Sequence, residues 1–243
     1  MVNCLTCDPK CKYIQCICND IIRNFEETHE DICVYPCENY AVIKNWVIST
    51  ITICAKFNAA INTTIYLKNY EIKETKSKFY NCINIYLSVK YQNKSKVSAK
   101  IFTNGNIQLA GVTNVKAGIY ALRKIFKRLL TLGAFIGDAY ISDIRICMIN
   151  SDFKIDKNIK QTEFCSILDK CIESNDFNIL RYSFNSSKYP GINIKFLHDG
   201  LQTTCSIFRP GSIMITGGNN VKNYKTIIET ICSLLKNNYQ ILY

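Results

Sequence analysis

Between residues 83 and 129 the apolar positions alternate, turn, alternate again and then recur at helical spacing. Ile83, Ile85, Leu87 and Val89 take every second position, and Val97, Ala99 and Ile101 do the same around Ser98 and Lys100. Such alternation gives a strand one buried and one polar face. Asn104-Gly105 reads as a primed hairpin turn, because those residue types accept positive φ. Ile107 and Leu109 resume the alternation and Gly111 breaks it. Val115, Ile119, Leu122, Ile125, Phe126 and Leu129 then form a helical stripe, with Lys116, Arg123, Lys124, Lys127 and Arg128 largely off it.

The pattern returns. Phe208 answers Phe102, Gly211 answers Gly105 and Gly217 answers Gly111, at a constant offset of 106. Ile192, Ile194 and Phe196 precede the second copy, Pro210-Gly211 replaces its turn, and Val221, Ile227, Ile228, Ile231, Leu234 and Leu235 make its helical stripe. Asn-Val-Lys follows each copy, at 114–116 and 220–222. Further apolar runs lie upstream, at 47–53 and 141–149. A fixed offset over so many positions indicates duplication of a whole unit. Strands in blocks, each closed by a helix, predict an α+β fold: an antiparallel sheet with helices on one face and the other face open to a partner.

Five motifs carry a resemblance. In order they are Val47-Ile48-Ser49-Thr50-Ile51-Thr52-Ile53; Phe102 through Gly111; Arg123-Lys124 followed by Leu132-Gly133; Tyr189-Pro190-Gly191-Ile192; and Ile207 through Gly217. Together they resemble the conserved core of the TATA-box-binding protein family, from about Trp46 to Leu235. The resemblance implies a saddle in which two pseudo-symmetric repeats form one curved antiparallel sheet with helices on the convex face. Pro36 and the polar stretch Glu38-Asn39 mark a boundary between a Cys-rich extension, 1–40, and a core, 41–243, in which the resemblance implies repeat one at about 46–135 and repeat two at about 139–238. The resemblance also implies a transcription initiation factor that binds and bends double-stranded promoter DNA through the minor groove, by apolar wedges inserted between base steps. The partners implied are a TFIIB-like factor and RNA polymerase; no cofactor is implied, and the chain is expected to be a monomer.

Residue roles follow from the same resemblance. Phe102, Phe208 and Tyr189 fill three of the four wedge positions; the fourth falls near Cys82, with Phe79 and Tyr80 close by. Ile48, Gln108, Ile144, Ser206, Met214 and Thr216 fall on the DNA-facing strands, with Lys96, Lys100, Lys195 and Arg209 as candidate phosphate or groove contacts. The departures are as pointed. The family's two central asparagines align with Trp46 and Ser142. Its central valine and threonine in the first repeat become Gln108 and Ala110, while the second repeat has Met214 and keeps Thr216. A leucine beside each wedge becomes Lys100 or Ser206. The acidic stretch that docks the next initiation factor in relatives is Ser186-Ser187-Lys188. Segments around 70–80 and 152–176 read as insertions, and the whole resembles the divergent forms carried by large DNA viruses.

Composition narrows the partner. The 243 residues carry a net charge of +11, which favours a polyanion. Lys116, Arg123, Lys124, Lys127, Arg128 and Lys188 are candidate contacts for acidic protein partners. The lost asparagines and Lys100 motivate a second reading: a scaffold of the same fold that has lost sequence-specific DNA binding and works through the basic helix 116–130. No apolar run reaches a membrane-spanning length and no signal pattern opens the chain. Fourteen cysteines in such a chain point to a reducing intracellular compartment, the host nucleus or a cytoplasmic viral factory if the chain is viral. Seven of them crowd into the first 37 residues. Cys4-x-x-Cys7 and Cys33-x-x-x-Cys37 have zinc-ligand spacing, and His29 could contribute. The apolar period from Tyr13 to Phe25 favours instead a helical arm over about 12–27 with no obligatory metal. His198-Asp199-Gly200 reads as a hairpin turn. No nucleophile elbow or phosphate loop is present, so catalysis is not expected.

Overall fold

The computed structural model describes residues 43–70, 81–91 and 93–243. The expected N-terminal arm, its cysteines, Phe79 and Tyr80 lie outside the described residues. In chain order come β1 (Ile43–Phe57), β2 (Ala60–Ile61), α1 (Thr63–Tyr70), β3 (Cys82–Tyr91), β4 (Asn93–Phe102), β5 (Asn106–Val112), α2 (Val115–Thr131) and β6 (Phe135–Ile136). Then follow β7 (Ile141–Ile155), α3 (Gln161–Glu173), β8 (Ile179–Asn185), β9 (Tyr189–His198), β10 (Leu201–Phe208), β11 (Ser212–Thr216), α4 (Val221–Asn237) and α5 (Tyr239–Leu242). The chain folds as two compact units, Thr50–Cys147 and Met148–Tyr243, the second taking in the part of β1 that ends at Ser49.

In the first unit the antiparallel strand order is β3-β4-β5-β1. The alternation read from the sequence sorts its faces. Ile83, Ile85, Leu87, Val97, Ala99, Ile101, Ile107, Leu109, Ile51 and Ile53 are buried, as are Val115, Ile119, Leu122, Ile125 and Leu129 of α2. That helix packs on β3 and β5. Phe126 completes the stripe beside the rings of Phe57 and Phe135, at centroid distances of 5.3 and 5.2 Å. The second unit has the order β7-β11-β10-β9-β8. Ile192, Ile194, Phe196, Cys205, Ile207, Ile213 and Ile215 are buried there, with Val221, Ile227, Ile231 and Leu235 of α4. The shared Asn-Val-Lys has a mechanical meaning. Asn114 and Asn220 are helix N-caps whose side chains accept from Ala117 N at 2.8 Å and from Lys222 N at 3.0 Å.

Two expectations need correction. Thr103-Asn104-Gly105 and Arg209-Pro210-Gly211 are three-residue loops, not two-residue primed turns. Only the glycine of each has positive φ, 87° and 81°, and its N–H closes on the carbonyl of Phe102 or Phe208 at 3.0 Å. A left-handed glycine after a turn is the usual way to close three residues. The stretch 152–176 is not an insertion either. Phe57 N donates to Gly105 O and Ile155 N to Gly211 O; Ile61 N donates to Thr103 O and Ile159 N to Arg209 O. These matching bonds set an offset of 98 for the first strand and helix of each repeat, so α3 answers α1 and buried Phe164 answers buried Tyr66.

The same correspondence reveals a volume swap. Gly118 of α2 answers Tyr224 of α4, and Ile53 answers Ser151. A Cβ on Gly118 would collide with Ile53 Cδ1. In the second unit the large residue is on the helix: Tyr224 is fully buried and its hydroxyl donates to the carbonyls of Ile149 or Gly217. Close packing leaves room for one large partner in each pair. Gly118→Leu therefore costs about 2–3 kcal/mol by overpacking, and Ile53→Ala in the same chain recovers part of it. Denaturant titration of the two single variants and the double variant reads the coupling; additive losses would contradict the packing argument.

Candidate nucleic-acid interface

The positions between the buried ones form a second face on each unit. In the second unit strand register arranges it in rows. Asp152, Met214, Ser206, Asn193 and Ser183 cross the sheet in one row; Asn150, Thr216, Thr204, Lys195 and Arg181 cross it in the next. Met214 is exposed, Thr216 half-buried, and Ser206 nearly covered, its hydroxyl spent on Asn193 Oδ1 at 2.7 Å. Lys195 Nζ donates to Thr204 Oγ1 at 2.5 Å. Asp152 is the one acid in these rows, against Arg181 and Lys195.

One end of this face carries two aromatic rings. Tyr189 is 40% exposed and Phe208 half-buried, and they meet edge to face, centroids 5.7 Å apart and 63° between planes. Gly191 makes the meeting possible. It lies opposite Phe208 in the ladder, and a Cβ there would come within 2.9 Å of both rings. Exposed Arg209 follows Phe208 in its loop, and exposed Lys188 precedes Tyr189 in the β8–β9 turn. The result is an apolar pair flanked by two cations at the tip of a polar sheet, suited to a ligand that is apolar inside and anionic outside.

The first unit has the same rows with other residues. Asn84, Lys100, Gln108 and Cys54 form one; Tyr86, Ser98 and Ala110 lie in the next, Tyr86 72% exposed. Phe102 is half-buried opposite Cys82. Cys82 holds the register position of Gly191, so the Tyr189–Phe208 geometry cannot be copied there: a side chain stands where the rings would close. Burial first, and then the neighbouring Cys147 thiol, push the Cys54 pKa up to about 12, so Cys54 stays a neutral thiol at neutral pH.

The comparisons with known proteins agree with this architecture. Residues 169–238 match the family model for transcription factor TFIID, or TATA-binding protein, TBP. A "TATA-box-binding protein-like" protein of Acanthamoeba polyphaga mimivirus is 27% identical over 218 residues, which cover 82% of this chain and 59% of the mimiviral protein. The chain thus spans less than two thirds of that relative's length. The solved structure of Methanococcus jannaschii TBP shares the fold: TM-score 0.53, 20% identity, with 80% of this chain and 99% of that one covered.

This chain is similar to TBP in sequence over residues 169–238 and shares its fold.

Within the TBP-like α+β fold the remaining candidates fall as follows. Ile48 is half-buried on β1. Ile144 is buried, 8% exposed, because Asp143 at φ 51° interrupts the alternation just before it. The offset of 98 makes Ile144, not Ser142, the counterpart of Trp46; the Ser142 hydroxyl instead accepts from Asn58 Nδ2. On the helix side Lys116, Lys124 and Lys127 are exposed. Arg128 donates to the Tyr66 hydroxyl at 3.2 Å, and Arg123 Nε is enclosed with no hydrogen-bond partner among the described residues. Lys124, Lys127, Arg128, Thr131 and Leu132 line a shallow depression of about 280 Å³. His198-Asp199-Gly200 is a hairpin turn, with Asp199 and Gly200 both at positive φ. The structure brings Tyr189 and Phe208 together; that Gly191 seats their rings was missed in the sequence, where the signal was the glycine two residues after the tyrosine. No helix among the described residues is long and apolar enough to cross a membrane.

Proposed function

We propose that this TBP-like chain is a non-enzymatic transcription initiation factor that binds promoter DNA through the minor groove and bends it. The observation that carries the reading is the Tyr189–Phe208 pair, a preformed apolar edge at the end of an open sheet face with Arg209 and Lys188 beside it. Entering a base step costs a few kcal/mol of stacking. The bend returns that cost by bringing more phosphate within reach of cations such as Lys195 and Arg209. Phe102 serves as a wedge in the first unit, without a ring seated on a glycine. A TFIIB-like factor and RNA polymerase would dock on the bound complex, and the cations of α2 offer them a basic surface.

Fluorescence anisotropy with short labelled duplexes tests the reading. An A·T-rich duplex should bind more tightly than an all-G·C duplex of equal length, and the logarithm of the affinity should fall linearly with the logarithm of salt concentration. Equal affinity for both, or preference for single strands, contradicts it. The scaffold reading rests on α2, whose five cations face no acid on the same helix. It takes the lead if no duplex binds while an acidic protein partner does.

A further inference from the structure

Equivalent positions in the two units exchange a cation for an aromatic ring. Four residues after Gly191, Lys195 lies opposite Thr204, and Thr204 lies opposite Thr216. Four residues after Cys82, which holds the register position of Gly191, Tyr86 lies opposite Ser98, and Ser98 lies opposite Ala110. Lys195 turns onto its neighbour, its Nζ donating to Thr204 Oγ1 at 2.5 Å. Tyr86 does the reverse. At 72% exposure it is the most exposed large hydrophobic side chain among the described residues, and its ring stands clear of the small side chains beside it. The rows on either side each carry a lysine of β4: Lys100 with Asn84 and Gln108, and exposed Lys96 with Ser88. None of the described residues in these three rows is acidic.

A ring between two cations fits a ligand that is apolar within and anionic at its rim. Phosphate is met by a cation and not by a phenol ring, so the two units cannot hold DNA alike at this row. What the ring can meet is the sugar wall of the groove. Deoxyribose presents C–H groups, and covering them with an exposed ring removes apolar surface from water on both partners. The lysines of the neighbouring rows answer the phosphates that border the groove. We infer that Tyr86 is a DNA-contact residue of the first unit, its ring packed against deoxyribose in the minor groove, at the position where the second unit offers Lys195 to phosphate. The contact at Tyr86 then releases no counterions, whereas the contact at Lys195 does. The phenol hydroxyl adds little selectivity, because it donates to minor-groove acceptors that every base pair presents. This inference rests on the minor-groove reading above.

The test is a salt series on the full chain, read by anisotropy with one labelled A·T-rich duplex. Tyr86→Ala should weaken binding about tenfold at every salt concentration, the effect of returning the ring's contact area to water, and keep the wild-type salt slope. Tyr86→Phe keeps the ring and should stay within about threefold of wild type, since a single hydroxyl hydrogen bond contributes little net. Tyr86→Lys, whose ammonium reaches phosphate, should steepen the slope by about one unit, and it remains informative if Tyr86→Ala fails to fold. Three results overturn the inference while wild-type binding leaves the minor-groove reading standing. They are Tyr86→Ala binding within about twofold of wild type, Tyr86→Phe losing as much as Tyr86→Ala, and an unchanged slope in Tyr86→Lys. Binding of the wild-type chain to no duplex of any sequence overturns the minor-groove reading, and this inference with it.

Discussion

Phe208→Ala should remove most of the bend from a bound duplex and weaken binding about tenfold or more. A wedge holds a base step open only while its ring fills the gap, and unstacking costs a few kcal/mol that alanine cannot offset. The loss is doubled locally, since Tyr189 then has no ring to meet at 5.7 Å across Gly191. Folding should survive, because Phe208 is half-buried on the open face and not in the core. The contrast is Lys195→Ala. That lysine lies in the row of Thr204 and Thr216, and a cation contacts phosphate in straight and bent DNA alike. Its removal should lower the salt slope by about one unit and leave the bend. Phe102→Ala should have the smaller effect of the two phenylalanines, as its ladder partner is Cys82 and not a glycine. Mobility of complexes on permuted duplexes separates these outcomes; a Phe208→Ala complex as bent as wild type would refute the wedge role.

Gly211→Ala should be the most destabilising single methyl in the chain, about 3 kcal/mol or more. Two costs add. At φ 81° an L-residue pays about 1–2 kcal/mol for left-handed backbone. The new Cβ would also run into the Ile155 carbonyl, with Lys157 O at 2.6 Å and Ile155 Cγ1 at 2.9 Å. Backbone atoms cannot swing away as a side-chain end can, and Ile155 is held by its own N–H to Gly211 O at 3.0 Å. Gly105→Ala should behave alike, its Cβ lying 2.5 Å from Ala59 O and 2.9 Å from Phe57 O. Gly133 supplies the control: φ is 61° but nothing lies within 4 Å, so alanine there meets only the backbone cost. Thermal unfolding should put Gly211→Ala roughly 10 °C below wild type, at about 2–4 °C per kcal/mol for a chain of this size. A Gly211→Ala variant as stable as Gly133→Ala would contradict the account of the loop.

The legible parts of the sequence were those governed by a period. Alternation in 83–89, 97–101, 107–109 and 192–196 and the stripes of α2 and α4 name the buried face almost residue by residue, because burial on one side of a strand or helix leaves little choice. The duplication was visible where both copies keep a turn glycine and the phenylalanine three residues before it. It was hidden where equivalent positions keep only size or only a hydrogen bond: Tyr66 and Phe164, or Gly118 with Ile53 against Tyr224 with Ser151. No residue-by-residue comparison scores such a swap, since it conserves the volume of a pair. The open face was harder still. Alternation shows that Lys100, Gln108 and Met214 lie on it, but cross-strand register decides that Lys100 and Gln108 share a row with Asn84. Ile144, assigned to the DNA-facing strands by the resemblance, is buried beside Asp143, whose positive φ interrupts the alternation of β7.

The most direct test of the central claim is the distance between two dyes at the ends of a short A·T-rich duplex, read by energy transfer as the full-length wild-type chain is titrated in. Minor-groove wedging by Tyr189 and Phe208 predicts that transfer rises in step with binding, saturates with it, and returns to the free value when salt dissociates the complex. Saturated binding with transfer unchanged from the free duplex would contradict it.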